Sequence, residues 1–172
     1  MKKTIATLIV SLVLFSCNKK NENITEESTL EQLTLITDYT QLFSKFKQQD
    51  NRLYVVNYWA TWCKPCIEEL PEFMSVNEEM KGNDNFEMIL VSLDKADEIN
   101  TEVKPFIENN NITTDVYLLS DNKRMTQWIP LVNEYWSGAI PATAFYKNGE
   151  QVAFKEGQLS KDELKAIINK HL

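Results

Sequence analysis

The amino-acid sequence predicts a single α/β domain in which strands and helices alternate and a β-hairpin closes the fold. Three observations support this prediction. The chain has 172 residues, of which 43% are hydrophobic, enough to form one sizeable core. Two apolar runs, residues 53–59 and 86–93, are typical of strands that are covered on both faces. An Asn-Gly pair at residues 148–149 lies between two shorter β-like runs and predicts the hairpin turn.

The first half of the chain contains three predicted strands, with a helix after each of the first two. Residues 30–36 are a candidate edge strand, and Asp38 is a suitable N-cap for the helix that follows. A second helix should begin at the cysteine pair of residues 63–66, and Pro71 should kink it because proline removes a backbone donor. The apolar faces of these two helices, at helical spacing, are Tyr39, Leu42, Phe43 and Phe46 in the first and Ile67, Leu70, Phe73, Met74 and Val76 in the second.

The second half of the chain supplies the remaining strands and helices. Two prolines affect the predicted helices of this half. Pro105 lies in the early turns of one helix, and Pro130 should break another. Ser160 and Glu163 fit a capping box at the start of the last helix. Strands are predicted at residues 116–119, 142–146 and 151–155, and helices at residues 102–110, at residues 121–129 and after residue 160. The strands of the first half should therefore be parallel, with an antiparallel hairpin at the end.

The N-terminal residues have the pattern of a secretory signal. Lys2 and Lys3 form a positively charged start, and residues 4–15 are mostly apolar and uncharged. This run is too short for a typical membrane-spanning helix of about 20 residues. We therefore expect the protein to leave the cytoplasm for a compartment in which disulfides form.

The apolar run closes with Leu-Phe-Ser-Cys, which resembles a bacterial lipobox, although Phe15 departs from its usual small or aliphatic residue. The resemblance implies a lipoprotein signal peptide at residues 1–16 and a lipidated Cys17. The alternative is an ordinary secretory signal with a chance cysteine. Residues 17–29 are polar and without periodicity, as in a flexible tether, and residues 30–172 form the domain. The expected location is the bacterial cell envelope, lipid-anchored and facing the periplasm, in a membrane that the sequence does not specify.

Charge and histidine content exclude several classes of function. Lysine and arginine total 18 against 25 acidic residues, a net charge of −7, whereas a nucleic-acid binder needs a basic face. The one histidine, His171, is next to last in the chain, which argues against a serine–histidine triad, a histidine-rich metal site and a papain-like cysteine–histidine pair. We predict no metal site, no cofactor and no nucleic-acid partner.

The chemistry is predicted at Trp62-Cys63-Lys64-Pro65-Cys66, between a buried strand and a helix. At a helix N-terminus, unpaired backbone donors and the helix dipole favour the thiolate of Cys63, and Lys64 adds a positive charge. Cys66, one turn inward, is spaced to attack a disulfide formed on Cys63. The alternatives are half of a metal site and an inert structural disulfide. A zinc site needs about four ligands, and the sequence has neither a second cysteine pair nor a nearby histidine.

Two motifs give the chain a family resemblance. Residues 54–71, YVVNYWATWCKPCIEELP, resemble the active-site segment of the thioredoxin fold and, within it, the TlpA/ResA-like envelope thiol–disulfide oxidoreductases. Residues 137–145, SGAIPATAF, are similar to that family's loop in which a cis-proline faces the dithiol. The resemblance covers about residues 30–172 and implies a thioredoxin-like domain with a central mixed sheet flanked by helices.

The resemblance also implies roles for individual residues. Cys63 would be the attacking thiol and Cys66 the resolving thiol, with the two forming the redox disulfide. Pro141 would be the cis residue, so that the backbone of Ile140 could pair with an extended substrate strand. The remaining residues expected to contact substrate flank the dithiol: Trp62, Lys64 and Pro65.

One departure from ordinary thioredoxin concerns the buried acid that precedes its active site. Asn57 stands at that place and cannot take up a proton. In ResA-like members a glutamate three residues after the second cysteine lies near the dithiol, and Glu69 occupies this position. Our hypothesis is that Glu69 tunes the cysteine pKa values or accepts a proton from Cys66. Alternatively, Glu68 and Glu69 are solvated charges on the first turns of a helix.

Aromatic residues near the two motifs have two interpretations. The stretch from Trp128 to Trp136, which includes Tyr135, could form an apolar rim for a partner protein or belong to the core. Trp59 is predicted to be a core residue, whereas Trp62 is predicted to be exposed beside the dithiol.

These observations predict an enzyme that exchanges protein disulfides through Cys63 and Cys66. The Lys-Pro dipeptide lacks the histidine typical of strongly oxidising relatives, which favours a reductant, possible substrates being the cysteines of apocytochrome c. A membrane or envelope thiol reductant would then donate electrons, and disulfide-containing envelope proteins would be the substrates. The alternative is a non-catalytic docking module with a structural disulfide. A peroxidase would need a proline- and threonine-containing loop that residues 57–62 lack.

Overall fold

The computed structural model describes residues 32–172. The predicted signal peptide, the lipidation site Cys17 and the polar tether lie outside this part. The strands are β1 (Leu33–Ile36), β2 (Leu53–Trp59), β3 (Phe86–Ser92), β4 (Asp115–Leu119), β5 (Ala142–Lys147) and β6 (Glu150–Glu156). The α-helices are α1 (Tyr39–Phe46), α2 (Lys64–Glu79), α3 (Lys104–Asn109), α4 (Met125–Val132) and α5 (Lys161–His171). Within residues 32–172 no helix is both long and apolar enough to cross a membrane.

The six strands form one mixed sheet in the order β1-β4-β3-β2-β5-β6. Strands β1 to β4 run parallel to one another, β5 is antiparallel to β2, and β6 is antiparallel to β5. This arrangement confirms the predicted mixed sheet, with β1 at its edge and β2 at its centre. The hairpin turns at Asn148 and Gly149, both with positive φ, as the Asn-Gly pair predicts.

Helices cover both faces of the sheet because β2 is apolar on both sides. Tyr54, Val56 and Tyr58 point toward one face, where they pack with residues of α1 and α4. Residues 53, 55 and 59 point the other way, toward α2, α3 and α5. Every residue of β2 is buried, so the carboxyl end of this strand places the segment after it against a fixed framework.

The prediction for residues 121–129 was wrong in one respect, because Pro130 does not end the helix. Helix α4 continues through Pro130 to Val132, after a short 3₁₀ turn at Asn122–Arg124. Trp128 and Val132 are both buried in the core on this face, so packing offsets the one backbone hydrogen bond that proline cannot make. Helix α2 likewise continues through Pro71.

Candidate active site

The dithiol lies where β2 ends and α2 begins. Cys63 is the N-cap of α2, and its backbone N–H donates to the carbonyl of Ala60 at 3.1 Å. Cys63 and Cys66 form a disulfide with an S–S distance of 2.02 Å and a Cα–Cα distance of 5.3 Å. Cys63 is 5% exposed and Cys66 is fully buried, so a partner's sulfur can approach only from the side of Cys63.

The start of α2 favours negative charge on Cys63. No side chain caps this helix end, so its free backbone N–H groups and the helix dipole act on the sulfur of the N-cap residue. Lys64 is highly exposed and lies 3.7 Å from the carboxylate of Glu68. At this exposure the Lys64 ammonium is largely screened by water, which leaves the helix terminus as the main influence on the thiolate.

The loop of residues 137–141 faces the disulfide. The Ile140–Pro141 peptide bond is cis, as the family resemblance predicts, and the carbonyl oxygen of Ile140 lies 3.7 Å from the Sγ of Cys63. The indole of Trp136 donates to the carbonyl of Ala139 at 2.8 Å. Glu156 accepts hydrogen bonds from both the backbone N–H and the hydroxyl of Ser137. The loop is therefore held on both sides next to the reacting sulfur.

Exposed side chains surround the entrance to the dithiol. Trp62 is 66% exposed, as predicted, and it borders an open groove of about 470 Å³ that is also lined by Pro105 and Phe106. Lys64 and Pro65 are exposed, and Ile140 is half-buried. These residues surround Cys63, but their predicted contacts with substrate stay predictions.

Burial decides most of the remaining aromatic assignments. Trp59, Trp128 and Trp136 are buried, which confirms Trp59 as a core residue and assigns the other two tryptophans to the core. Tyr135, by contrast, is 83% exposed, so the apolar rim considered for this stretch is limited to side chains such as Tyr135.

Glu69 is a buried residue of α2, one turn after Cys66. Only 3% of Glu69 is exposed, so the solvated alternative is wrong for this residue, whereas Glu68 is exposed. One carboxylate oxygen of Glu69 accepts from the side-chain amide of Asn57 at 2.8 Å, and the other accepts from the backbone N–H of Leu159 at 2.9 Å. Burial raises the pKa of Glu69 to about 7, although both hydrogen bonds act in the opposite direction.

Asp94 is a site residue that the sequence analysis did not find. It follows β3 and is fully buried. Its carboxylate accepts from the backbone N–H of Thr61 at 3.1 Å, from the Thr61 hydroxyl at 2.6 Å and from the Ser92 hydroxyl at 2.7 Å. Because β2 and β3 are parallel, their carboxyl ends meet at one edge of the sheet. A polar residue two positions after β3 was therefore a signal that could have placed Asp94 beside the cysteine loop.

We expect Asp94→Ala to reduce the free energy of unfolding by about 2–3 kcal/mol, because Thr61 would lose the acceptor of its N–H and hydroxyl groups in a buried place. Urea denaturation of the oxidised protein measures this change. Asp97→Ala is the matched control, since Asp97 is exposed and only three residues away. Equal stability of the two variants would show that Asp94 does not hold the loop.

Comparison with known proteins places the chain among thiol–disulfide oxidoreductases. The model of the AhpC/TSA family matches residues 28–155. The chain belongs to the AhpC/TSA family. The thiol–disulfide oxidoreductase ResA of Oceanobacillus iheyensis is 26% identical over 178 residues, which cover 98% of this chain and 86% of that protein.

Solved structures of this group share the fold. The crystal structure of StoA from Bacillus subtilis has a TM-score of 0.52 and 26% identity, and the match covers 67% of this chain and 81% of that one. A DsbF homologue from Corynebacterium diphtheriae has a TM-score of 0.58 at 19% identity, covering 71% of this chain and 73% of that one. The predicted thioredoxin-like fold and the ResA-like resemblance are confirmed. This AhpC/TSA member is a thiol–disulfide oxidoreductase whose redox centre is the Cys63–Cys66 pair.

Within residues 32–172 no three histidine, cysteine, aspartate or glutamate side chains come together as a metal site would require.

Proposed function

We propose that this oxidoreductase is a reductant of protein disulfides, anchored by lipid in the bacterial cell envelope and facing the periplasm. The main support for disulfide exchange is the position of Cys63. It lies at a helix N-terminus, and its Sγ is 3.7 Å from the Ile140 carbonyl oxygen of the cis-proline loop. Cys66 lies buried behind it. A partner's disulfide can therefore contact the Cys63 sulfur, while the Cys66 sulfur remains available to attack the mixed disulfide that forms.

The exchange consists of two displacements. The thiolate of Cys63 attacks one sulfur of the substrate disulfide, which forms a mixed disulfide and releases the other substrate sulfur as a thiolate. Cys66 loses its proton and attacks the Cys63 sulfur, so the Cys63–Cys66 disulfide forms and the second substrate sulfur leaves as a thiolate. Two electrons pass from the enzyme to the substrate, and an envelope thiol reductant must return them.

We propose that Glu69 accepts the proton that the Cys66 thiol loses. Glu69 lies three residues after Cys66 on α2, which places both on one side of the helix. Its pKa of about 7 is suited to taking up and releasing a proton near neutral pH. Glu69→Gln, in which the side chain cannot take up a proton, tests this role.

Our proposal for the direction of electron flow rests on the residues between the cysteines. Lys64 and Pro65 include no histidine, whereas strongly oxidising relatives typically have one there. The substrates we propose are disulfide-containing envelope proteins, including apocytochrome c before haem attachment. The exposed side chain of Trp62, which precedes Cys63 in the chain, gives such a protein an apolar group to contact.

Equilibration with glutathione buffers tests the direction. We expect a reduction potential closer to the about −270 mV of thioredoxin than to the about −120 mV of DsbA. The reduced protein should also cleave the disulfides of insulin and turn over peroxide negligibly. A potential near that of DsbA would contradict the assignment as a reductant, and efficient peroxide turnover would favour a peroxidase instead.

Localisation is tested by changing the predicted lipidation site. We expect Cys17→Ser to release the protein from the membrane fraction or leave it unprocessed, because the serine hydroxyl cannot carry the thioether-linked lipid. Fractionation followed by immunodetection measures this effect, and Ser16→Ala serves as the neighbouring control. Retention of processed Cys17→Ser protein in the membrane would rule out the lipid anchor.

A further inference from the structure

The side chain of Asn57 is unusual because half of its amide has no partner. Asn57 lies at the centre of β2 and is fully buried. Its Nδ2 donates to Glu69 Oε1 at 2.8 Å and to Thr143 Oγ1 at 3.1 Å, but its Oδ1 accepts no hydrogen bond. Buried amide oxygens are nearly always paired. An unpaired one beside a titrating carboxylate calls for a physical reason.

The two oxygens of Glu69 differ in their ability to hold a proton. Oε2 accepts from the backbone N–H of Leu159, a donor that cannot turn away and cannot accept. A proton on Oε2 would therefore face another proton. Oε1 faces Asn57, whose side chain carries a donor at one end and an acceptor at the other. Proton uptake is thus directed to Oε1, provided that Asn57 presents its oxygen.

From this geometry we infer that Asn57 is a positioning residue whose side-chain amide flips by about 180° when Glu69 takes up a proton. With Glu69 ionised, Nδ2 donates to Glu69 and Thr143, as in the structure. With Glu69 protonated, Oδ1 occupies that place and accepts from the Glu69 carboxyl and from the Thr143 hydroxyl. A hydroxyl can donate as well as accept, so two hydrogen bonds are present in each state.

This exchange of places explains the unpaired atom. In the first orientation the carbonyl oxygen is the end without a partner, and in the second the NH2 group is, so each state makes two hydrogen bonds from one end of the amide. An amide with all of its groups paired would instead be locked in one orientation. The amide flip involves residues from three elements: Asn57 is on β2, Glu69 is on α2 and Thr143 is on β5, two residues after the cis-proline.

A cavity beside Glu69 provides a path for its proton, and two other carboxylates, those of Glu68 and Glu72, line that cavity. Glu69 borders a cavity of about 220 Å³ that opens between α2 and the segment before α5. The nearby carboxylate of Glu72 raises the pKa of Glu69 further. On the sheet side, Asn57 and Thr143 are uncharged, and the residue opposite Thr143 on β6 is the exposed Lys155. The other groups lining the cavity are Glu68, Gln158, Leu159 and Ser160.

The inference rests on the proposed proton transfer from Cys66 to Glu69. When Cys66 attacks the mixed disulfide, its proton passes to Glu69. The flipped amide of Asn57 then accepts a hydrogen bond from the protonated carboxyl group of Glu69. Return of Asn57 to its first orientation accompanies loss of the proton to the cavity. Asn57 touches neither the substrate nor the reacting sulfurs in this scheme, so its effect appears in pH dependence.

Nuclear magnetic resonance of the wild-type protein tests the amide flip. The oxidised form is used because its disulfide cannot titrate. We expect the carboxyl carbon of Glu69 and the side-chain amide of Asn57 to titrate with one midpoint. The cross-peaks from the Asn57 amide protons to Thr143 should weaken below that midpoint. Unchanged amide signals and cross-peaks on both sides of the Glu69 midpoint would overturn the inference, as would a Glu69 that does not titrate between pH 5 and 8.

A variant tests the effect on the reaction. In Asn57→Leu, which removes both ends of the amide, the Glu69 midpoint should rise by about one pH unit, because the charged form loses the stronger hydrogen bond. In stopped-flow reduction of Ellman's reagent, the first phase reports attack by Cys63 and the second reports resolution by Cys66. The pH profile of the second phase should shift with the Glu69 midpoint.

Asn77→Leu is the matched control, because Asn77 lies on the same helix as Glu69 but bonds to Thr113. It should change neither the midpoint nor the profile. An unshifted profile in folded Asn57→Leu would overturn the role of Asn57. If wild type completes both phases but does not reduce insulin, the proposed function fails and the inference about Asn57 stands.

Discussion

Replacing Cys63 with serine is expected to abolish disulfide exchange. A serine hydroxyl is not ionised near neutral pH and cannot form the mixed disulfide, so activity should fall by about three orders of magnitude or more, the scale seen when a covalent nucleophile is removed. Insulin reduction followed by turbidity measures the loss. The fold should persist, since Cys63 caps α2 through its backbone and not through a side-chain hydrogen bond.

Cys66→Ser should behave differently, because it keeps the nucleophile and removes only the resolving thiol. The buried position of Cys66 means that no external thiol takes its place readily. Mixed disulfides on Cys63 should therefore accumulate in envelope extracts and appear as adducts on non-reducing gels. Their identification would name the physiological substrates.

The double variant Cys63→Ser/Cys66→Ser is the control and should form no adduct. A docking module with a structural disulfide predicts instead that cysteine variants keep full function. Absence of adducts from Cys66→Ser, together with absence of insulin reduction by wild type, would contradict the enzymatic role.

Glu69→Gln is expected to change how stability depends on pH. Burial raises the pKa of Glu69 in the folded protein to about 7 from an ordinary value of 4.5. The folded state therefore binds the proton more tightly than the unfolded state does. The resulting stabilisation is complete below pH 4.5 and is lost as the pH rises through 7. The shift corresponds to about 3 kcal/mol of unfolding free energy.

Urea denaturation of the oxidised protein between pH 5 and 8 measures this dependence. Wild type should lose stability relative to Glu69→Gln as the pH rises, because glutamine cannot ionise. Glu68→Gln is the control, since Glu68 is exposed, and it should follow wild type. Parallel curves for wild type and Glu69→Gln would contradict the raised pKa.

The same variant tests whether Glu69 acts on the dithiol. The pH profile of Cys63 alkylation in reduced Glu69→Gln should differ from that of wild type, because the ionisation of Glu69 acts on the nearby thiols. An unchanged profile would reject a role for Glu69 in the chemistry even if its effect on stability is confirmed.

Local patterns predicted most of the fold. The continuous apolar run of β2, the Asn-Gly turn and the Ser160–Glu163 capping box are local signals, and the structure contains all three features. The position of the dithiol between β2 and α2 was also predictable, because a strand followed by a Cys-x-x-Cys helix start is a local arrangement. The cis bond at Pro141 followed from the family resemblance and not from any property of the residues around it.

Features that depend on distant residues were harder to predict. The burial of Glu69 depends on Asn57 and on Leu159, which approach from another strand and from the far end of the chain. Asp94 required knowing that the ends of β2 and β3 lie side by side. Pro130 was predicted to break a helix because local propensity counts the missing donor but not the packing of Trp128 and Val132.

The hydrogen bond from Leu159 to Glu69 joins residues 90 positions apart, which has a consequence for a chain still being synthesised. Both cysteines emerge from the ribosome long before Leu159 does. A nascent chain can therefore expose a reactive thiol pair whose carboxylate neighbour is still in water, with the proton affinity of an ordinary glutamate. Only the arrival of the segment around Leu159 encloses that carboxylate, so the pH response of the catalyst is acquired after most of the domain has been synthesised.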